Sequence, residues 1–133
     1  MTDQTPSEQP ITLTVPGDRR FVGIVRMFVG GLAARLALGY EAMDDLQLAV
    51  ESVFHVCAVD GQVTVEARPD GDRLVVVVGP LARDPLSVDG SAGAGLELRQ
   101  LLAALVAGAE TFTEDGRPWL RLDARTPAGT GAA

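Results

Sequence analysis

The chain predicts an α/β domain of the α+β kind: a two-layer sandwich whose mixed, mostly antiparallel sheet carries helices on one face. Three observations predict it. Segments 19–38 and 42–58 repeat apolar residues every three or four positions, as helices burying one side do. Four short apolar segments come in pairs joined by turn sequences, Pro69-Asp70-Gly71 and Glu114-Asp115-Gly116-Arg117, as hairpins are. Hairpins interleaved with helices do not suit a parallel doubly wound sheet, which needs a crossover between consecutive strands.

The elements follow in order. Ile11–Val15 alternates Ile, Thr, Leu, Thr, Val, a short strand with its apolar residues on one face. Pro16-Gly17-Asp18 breaks it, and Asp18 is placed to cap a helix over 19–38. Phe21, Ile24, Val25, Phe28, Leu32 and Leu36 form that helix's stripe, and Gly39 is expected to end it. Gly30-Gly31 inside it costs about 1 kcal/mol per glycine relative to alanine, so close packing or a bend is expected there. In the second helix Leu46, Ala49, Val50, Val53 and Val56 or Cys57 face inward, with Asp44, Asp45, Gln47 and Ser52 outward. Strands 62–69 and 72–78 follow. Leu74–Val78 is apolar on both faces and so belongs in the middle of the sheet. A loop rich in Gly, Pro and Ser covers 79–95, a helix 96–106, and strands 109–113 and 118–124 close the domain, with Phe112 and Trp119 packing together.

The length of 133 residues suits one domain with a single core, assigned to 10–126. Segments 1–9 and 127–133 are expected to be disordered. Eighteen acidic residues against eleven basic ones, all arginine, leave a net charge of −7, which argues against nucleic acid as the main partner. Cys57, the only cysteine, excludes an internal disulfide and reads as a small buried hydrophobe. MTDQTPSEQP lacks the basic start and apolar run of a signal peptide, and no run reaches the roughly 18 apolar residues of a membrane span. The cytoplasm is the expected location, with no membrane partner.

The element order, together with DDLQLAVESVFH and GAGLELRQLLAALV, resembles the histidine-kinase-like ATPase superfamily and within it the anti-sigma factors of the serine-protein kinase type. The resemblance runs from about Ile11 to Ala124 and implies the Bergerat-type ATPase fold. It also implies a nucleotide-binding regulator that holds a sigma factor and phosphorylates a small antagonist protein on serine. Carried over by position, Glu51 matches the family's catalytic base and His55 falls where an Asn binds magnesium. Gly79 stands at the Asp that recognises the adenine amino group, and Gly93, Gly95 and Leu96 match the second glycine motif. Backbone N–H groups around Gly95–Leu98 are the expected donors to an anion. Arg26 lies near the family's partner-contacting Arg, and Arg19, Arg20 and Arg35 share its helix.

The departures carry physical weight. An Asn oxygen suits octahedral magnesium, whereas imidazole favours softer metals. A glycine in place of Asp offers adenine no acceptor, a deficit of about 1–3 kcal/mol. Glu51 and His55, one turn apart, supply two ligands at most, so no metal site is expected from them alone. The preferred reading is therefore a regulatory protein-binding domain with impaired or lost ATP binding and kinase activity, its partner a sigma factor or an antagonist. Two alternatives stay open: an active divergent serine kinase using ATP or ADP with magnesium, and a homodimeric scaffold built on the apolar first helix.

Overall fold

The structure, a computed structural model, describes residues 9–57, 61–70, 73–87 and 94–124, with the backbone alone for 94–96. Nearly all of both segments expected to be disordered lies outside these residues, as do Gly71 and Gly93. The elements are β1 (Ile11–Pro16), a 3₁₀ turn (Arg19–Phe21), α1 (Val22–Arg35), α2 (Tyr40–Cys57), β2 (Gln62–Asp70), β3 (Arg73–Gly79), α3 (Ala94–Leu105), β4 (Gly108–Glu114) and β5 (Arg117–Asp123).

The five strands form one sheet in the order β1-β2-β3-β5-β4, and every neighbouring pair is antiparallel. The all-apolar β3 occupies the centre, as its composition requires. Its register sorts the sheet into two faces. Val78 lies opposite Val65 and Leu120, and Val76 opposite Ala67 and Leu122. These residues, with Val63 and Leu74, are buried beneath the helices. The alternate residues Thr64, Glu66, Arg68, Val75, Val77, Trp119 and Arg121 line the helix-free face. Exposed or half-buried ion pairs lie along single strands of this face, Arg68–Glu66 at 3.2 Å on β2 and Arg121–Asp123 at 3.3 Å on β5, each worth about 0–1 kcal/mol. The two-layer sandwich read from the sequence is the observed architecture. Among the described residues no helix is long and apolar enough to cross a membrane.

Local chemistry explains most boundaries. Asp18 caps the 3₁₀ turn, accepting from the Arg20 backbone N–H at 2.9 Å and pairing with the Arg20 guanidinium. These contacts hold its carboxyl below the ordinary value. Asp115 and Gly116 both have positive φ, 54° and 77°, the two-residue turn that matches strand twist in a hairpin. Phe112 and Trp119 stack beyond it with centroids 6.1 Å apart.

The first helix ends earlier than expected. Its last helical residue is Arg35, and Ala37 rather than Gly39 takes the left-handed turn, at φ 55°. Leu38 N–H donates to Ala33 O and Ala37 N–H to Ala34 O, the Schellman arrangement. Burial of Leu38 accounts for the choice, because the turn drives that side chain into the core. Gly39, also at positive φ, instead starts α2, its carbonyl accepting from Met43 N–H at 3.0 Å.

The paired glycines divide two roles. Gly30 is buried, and a Cβ on it would collide with the Gln47 side-chain nitrogen from α2. That nitrogen donates to Arg26 O at 2.9 Å, joining the two helices. Gly31 faces open space, and a Cβ added there would meet nothing within 4 Å. Gly31→Ala is therefore expected to raise stability by about 0.8–1.0 kcal/mol. Gly30→Ala is expected to lose that gain, since Gln47 must give up the Arg26 carbonyl. Urea denaturation of both variants checks this pair, and equal effects would contradict it.

Candidate functional site

Helix α2 divides cleanly into two sides. Ala42, Leu46, Ala49, Val50, Val53, Phe54 and Cys57 are buried, while Glu51, Ser52 and His55 face outward or lie half-buried. Phe54 was absent from the inward set read from the sequence, although it stands four residues after Val50. Cys57 is fully buried, and desolvation pushes its thiol up to about 11, which fits a small hydrophobe and not a nucleophile.

The carboxylate of Glu51 sits between Arg26 and His55. Arg26 Nη1 on α1 is 3.7 Å from Oε1, and His55 Nε2 is 3.8 Å from Oε2. Both separations exceed hydrogen-bond length, so the Arg26 attraction is Coulombic and softened by water. The packing of Gly30 against Gln47 brings Arg26 within reach. Glu51, His55 and Arg26 are thus gathered at one place on the α1–α2 surface.

The other arginines divide differently. Arg20 is engaged by Asp18 and lies 5.8 Å from the Phe21 ring centroid. Arg19 and Arg35 are exposed and form no ion pair among the described residues. Two of the four partner-facing cations read from the sequence are therefore already occupied within the chain.

Gly79, carried over to the adenine-recognising position, faces the helix-free side of the sheet. It continues the alternation Val75, Val77, Gly79 on the helix-free face, and a Cβ on it would run into the Trp119 indole. A carboxylate at 79 would face away from the helix layer. The residue at this strand end that faces the helices is Val78, fully buried. A motif match counts residues along the chain, while strand parity decides the face.

The described part of the loop after β3, residues 80–87, is fastened to the rest of the fold. Leu81 is buried, its N–H donating to Pro118 O at 2.8 Å, and Ala82 N–H donates to Cys57 O at 3.1 Å. The second bond closes the C-terminal end of α2. Asp84 Oδ1 accepts from Leu86 N–H at 2.9 Å, tightening the following turn. Gly95 and Leu96 belong to the first turn of α3, where backbone N–H groups lack helical acceptors. Gly93 lies outside the described residues.

Between α2 and α3 runs an open groove of about 340 Å³ lined by Ser52, His55, Val56, Glu97, Leu98 and Leu101. Its size is at the low end for small-molecule sites. Among the described residues no cluster of three or more His, Cys, Asp or Glu side chains could hold a metal ion. Glu51, the one carboxylate beside His55 on this helix face, already meets Arg26, and Ser52 Oγ donates to Leu48 O at 2.8 Å. This donor set does not fit magnesium, which requires several oxygens in near-octahedral array.

Comparison with known proteins places relatives beside this geometry. The chain is 37% identical over 75 residues to the serine-protein kinase RsbW of Listeria innocua serovar 6a. It is 33% identical over 75 residues to that of Bacillus subtilis strain 168, and 32% over 77 residues to that of Bacillus pumilus strain SAFR-032. Each alignment covers 51% of this chain and 48%, 47% and 48% of the respective relative. The chain thus spans about half the length of the curated relatives it matches. No protein-family model matches it. The relatives support the family resemblance drawn from the sequence.

Proposed function

We propose that this relative of the RsbW serine-protein kinases is a regulatory domain of anti-sigma-factor type, acting by occupying a partner protein's surface. The observation that carries the reading is the end of β3. Val78 is buried in the core, Gly79 lies under Trp119 and Leu81 is buried beyond them, so no side chain among these residues offers a purine an acceptor. The helix-covered sheet meanwhile keeps its full order of elements. Partner binding would use α1 and the 3₁₀ turn before it, where Arg35 and Arg19 form no ion pair among the described residues and can make charge-assisted contacts with an acidic region of a sigma factor or antagonist. Arg26 can join them by exchanging Glu51 for a partner carboxylate.

Two measurements test this together. Millimolar magnesium–ATP is expected to leave the melting temperature unchanged, since a ligand specific to the folded state must raise it. Co-expression with candidate sigma factors and antagonists is expected to yield a stable complex that Arg19→Glu with Arg35→Glu weakens. A clear nucleotide-dependent rise in melting temperature, or no complex with any such partner, would overturn the proposal.

A second reading is favoured by the position of Glu51 and by relatives named as serine-protein kinases. In it the carboxylate, half-buried beside Arg26 and His55, takes the proton of a substrate serine hydroxyl. Transfer of labelled phosphate to an antagonist serine, abolished by Glu51→Gln, would establish it.

A further inference from the structure

At the C-terminal end of α1 a pocket of about 330 Å³ opens between that helix and strands β1, β2 and β3. The proposed function assigns it no ligand. Its lining is graded in exposure. Leu74 and Ala67 are each 1% exposed, Leu32 and Leu36 on the α1 side are half-buried, and Ile11 and Arg35 are exposed. The apolar base is therefore the deep part, with the cation at the mouth. Arg35 is the sole charged residue of the lining, and every other lining side chain is apolar.

That guanidinium forms no ion pair among the described residues. Nor is it needed to cap the helix. The carbonyls of Leu32, Ala33 and Ala34 already accept from the N–H groups of Leu36, Leu38 and Ala37.

We propose that this pocket binds a small monocarboxylic acid with an apolar tail, the tail resting on Leu74, Ala67, Leu32 and Leu36 and the carboxylate on Arg35. Small-molecule sites combine an apolar lining with a few placed polar groups that fix orientation, which is the arrangement here. A guanidinium matches a carboxylate in charge and in fork geometry. The volume lies at the low end for such sites, which favours a short tail. The net charge of −7 repels a multiply charged anion, such as a nucleotide, more than a single carboxylate. The site shares Arg35 with the surface proposed for a partner protein. It is read on the chain alone, so it stands or falls independently of that proposal.

The probe is sodium octanoate, titrated into the full chain and followed by methyl NMR. Saturable shifts are expected at the methyls of Ile11, Leu32, Leu36 and Leu74, with a dissociation constant of about 1 mM or tighter. Hexanoate, two methylenes shorter, is expected to bind about tenfold more weakly. Arg35→Gln is expected to weaken octanoate by about tenfold and to leave octyl alcohol, which keeps the tail without the charge, within about twofold. Arg99→Gln, the same change at an exposed position of α3, is expected to leave octanoate binding within about twofold. No saturable binding, as when a second copy of the chain already holds the pocket, would overturn the proposal. So would equal affinity for hexanoate and octanoate, or equal weakening by the two variants.

Discussion

Phe54→Ala is expected to lower stability by about 3–5 kcal/mol, the largest effect of any single truncation considered. Phe54 is 1% exposed and is among the largest fully buried side chains of the core. It lies on the inner side of α2, the middle of the helix run between α1 and α3, with which α2 makes its principal helix contacts. Removing the ring forfeits its transfer free energy and leaves a cavity that three packed elements cannot close. Against a total of about 5–15 kcal/mol for a domain of this kind, such a loss brings the protein near the edge of folding. Urea denaturation should show a large fall in midpoint, while Leu48→Ala, on the exposed side of the same helix, stays within about 0.5 kcal/mol of the parent. Comparable effects at both positions would mean that α2 is not buried on the side described.

Gly79→Asp is expected to destabilise the chain by about 1–3 kcal/mol, the range for overpacking, and not to install nucleotide binding. Any Cβ at this position meets the Trp119 ring, so the indole must swing away or the strand end must shift. Trp119 is the only tryptophan, and its fluorescence reports the displacement directly. Gly79→Ala separates sterics from charge and should already shift the emission. Combining it with Trp119→Leu should cost less than the sum of the single changes, since the two side chains compete for the same space. If Gly79→Asp is stable, leaves the emission unchanged and gains a magnesium–ATP-dependent rise in melting temperature, the face assigned to residue 79 is wrong.

The alternation in 11–15 and the turn residues at 114–117 were legible because each is a local rule: side chains alternate on a strand, and a two-residue hairpin turn favours residues that accept positive φ. The apolar period of 42–58 exposed the core side of α2 for the same reason. The face of Gly79 was not legible, because it depends on register with β5 and on where Trp119 lands. The end of α1 was misread because glycine is the usual left-handed residue, whereas here the burial of Leu38 places the turn on Ala37. The pairing of Arg26 with Glu51 required two helices 25 positions apart in sequence to pack at a set distance, which Gly30 and Gln47 decide.

From the sequence alone came the two-layer architecture, the central place of β3, the site helix with Glu51 and His55 on its surface, and the likeness to serine-protein kinases of the anti-sigma type. Hydrophobic periodicity and turn chemistry are written residue by residue, so they survive without coordinates. Only the tertiary structure decided which way Gly79 faces, which arginines are already engaged, and that an open groove separates α2 from α3. Those properties arise from distances between segments remote in the chain, and packing rather than local preference sets such distances.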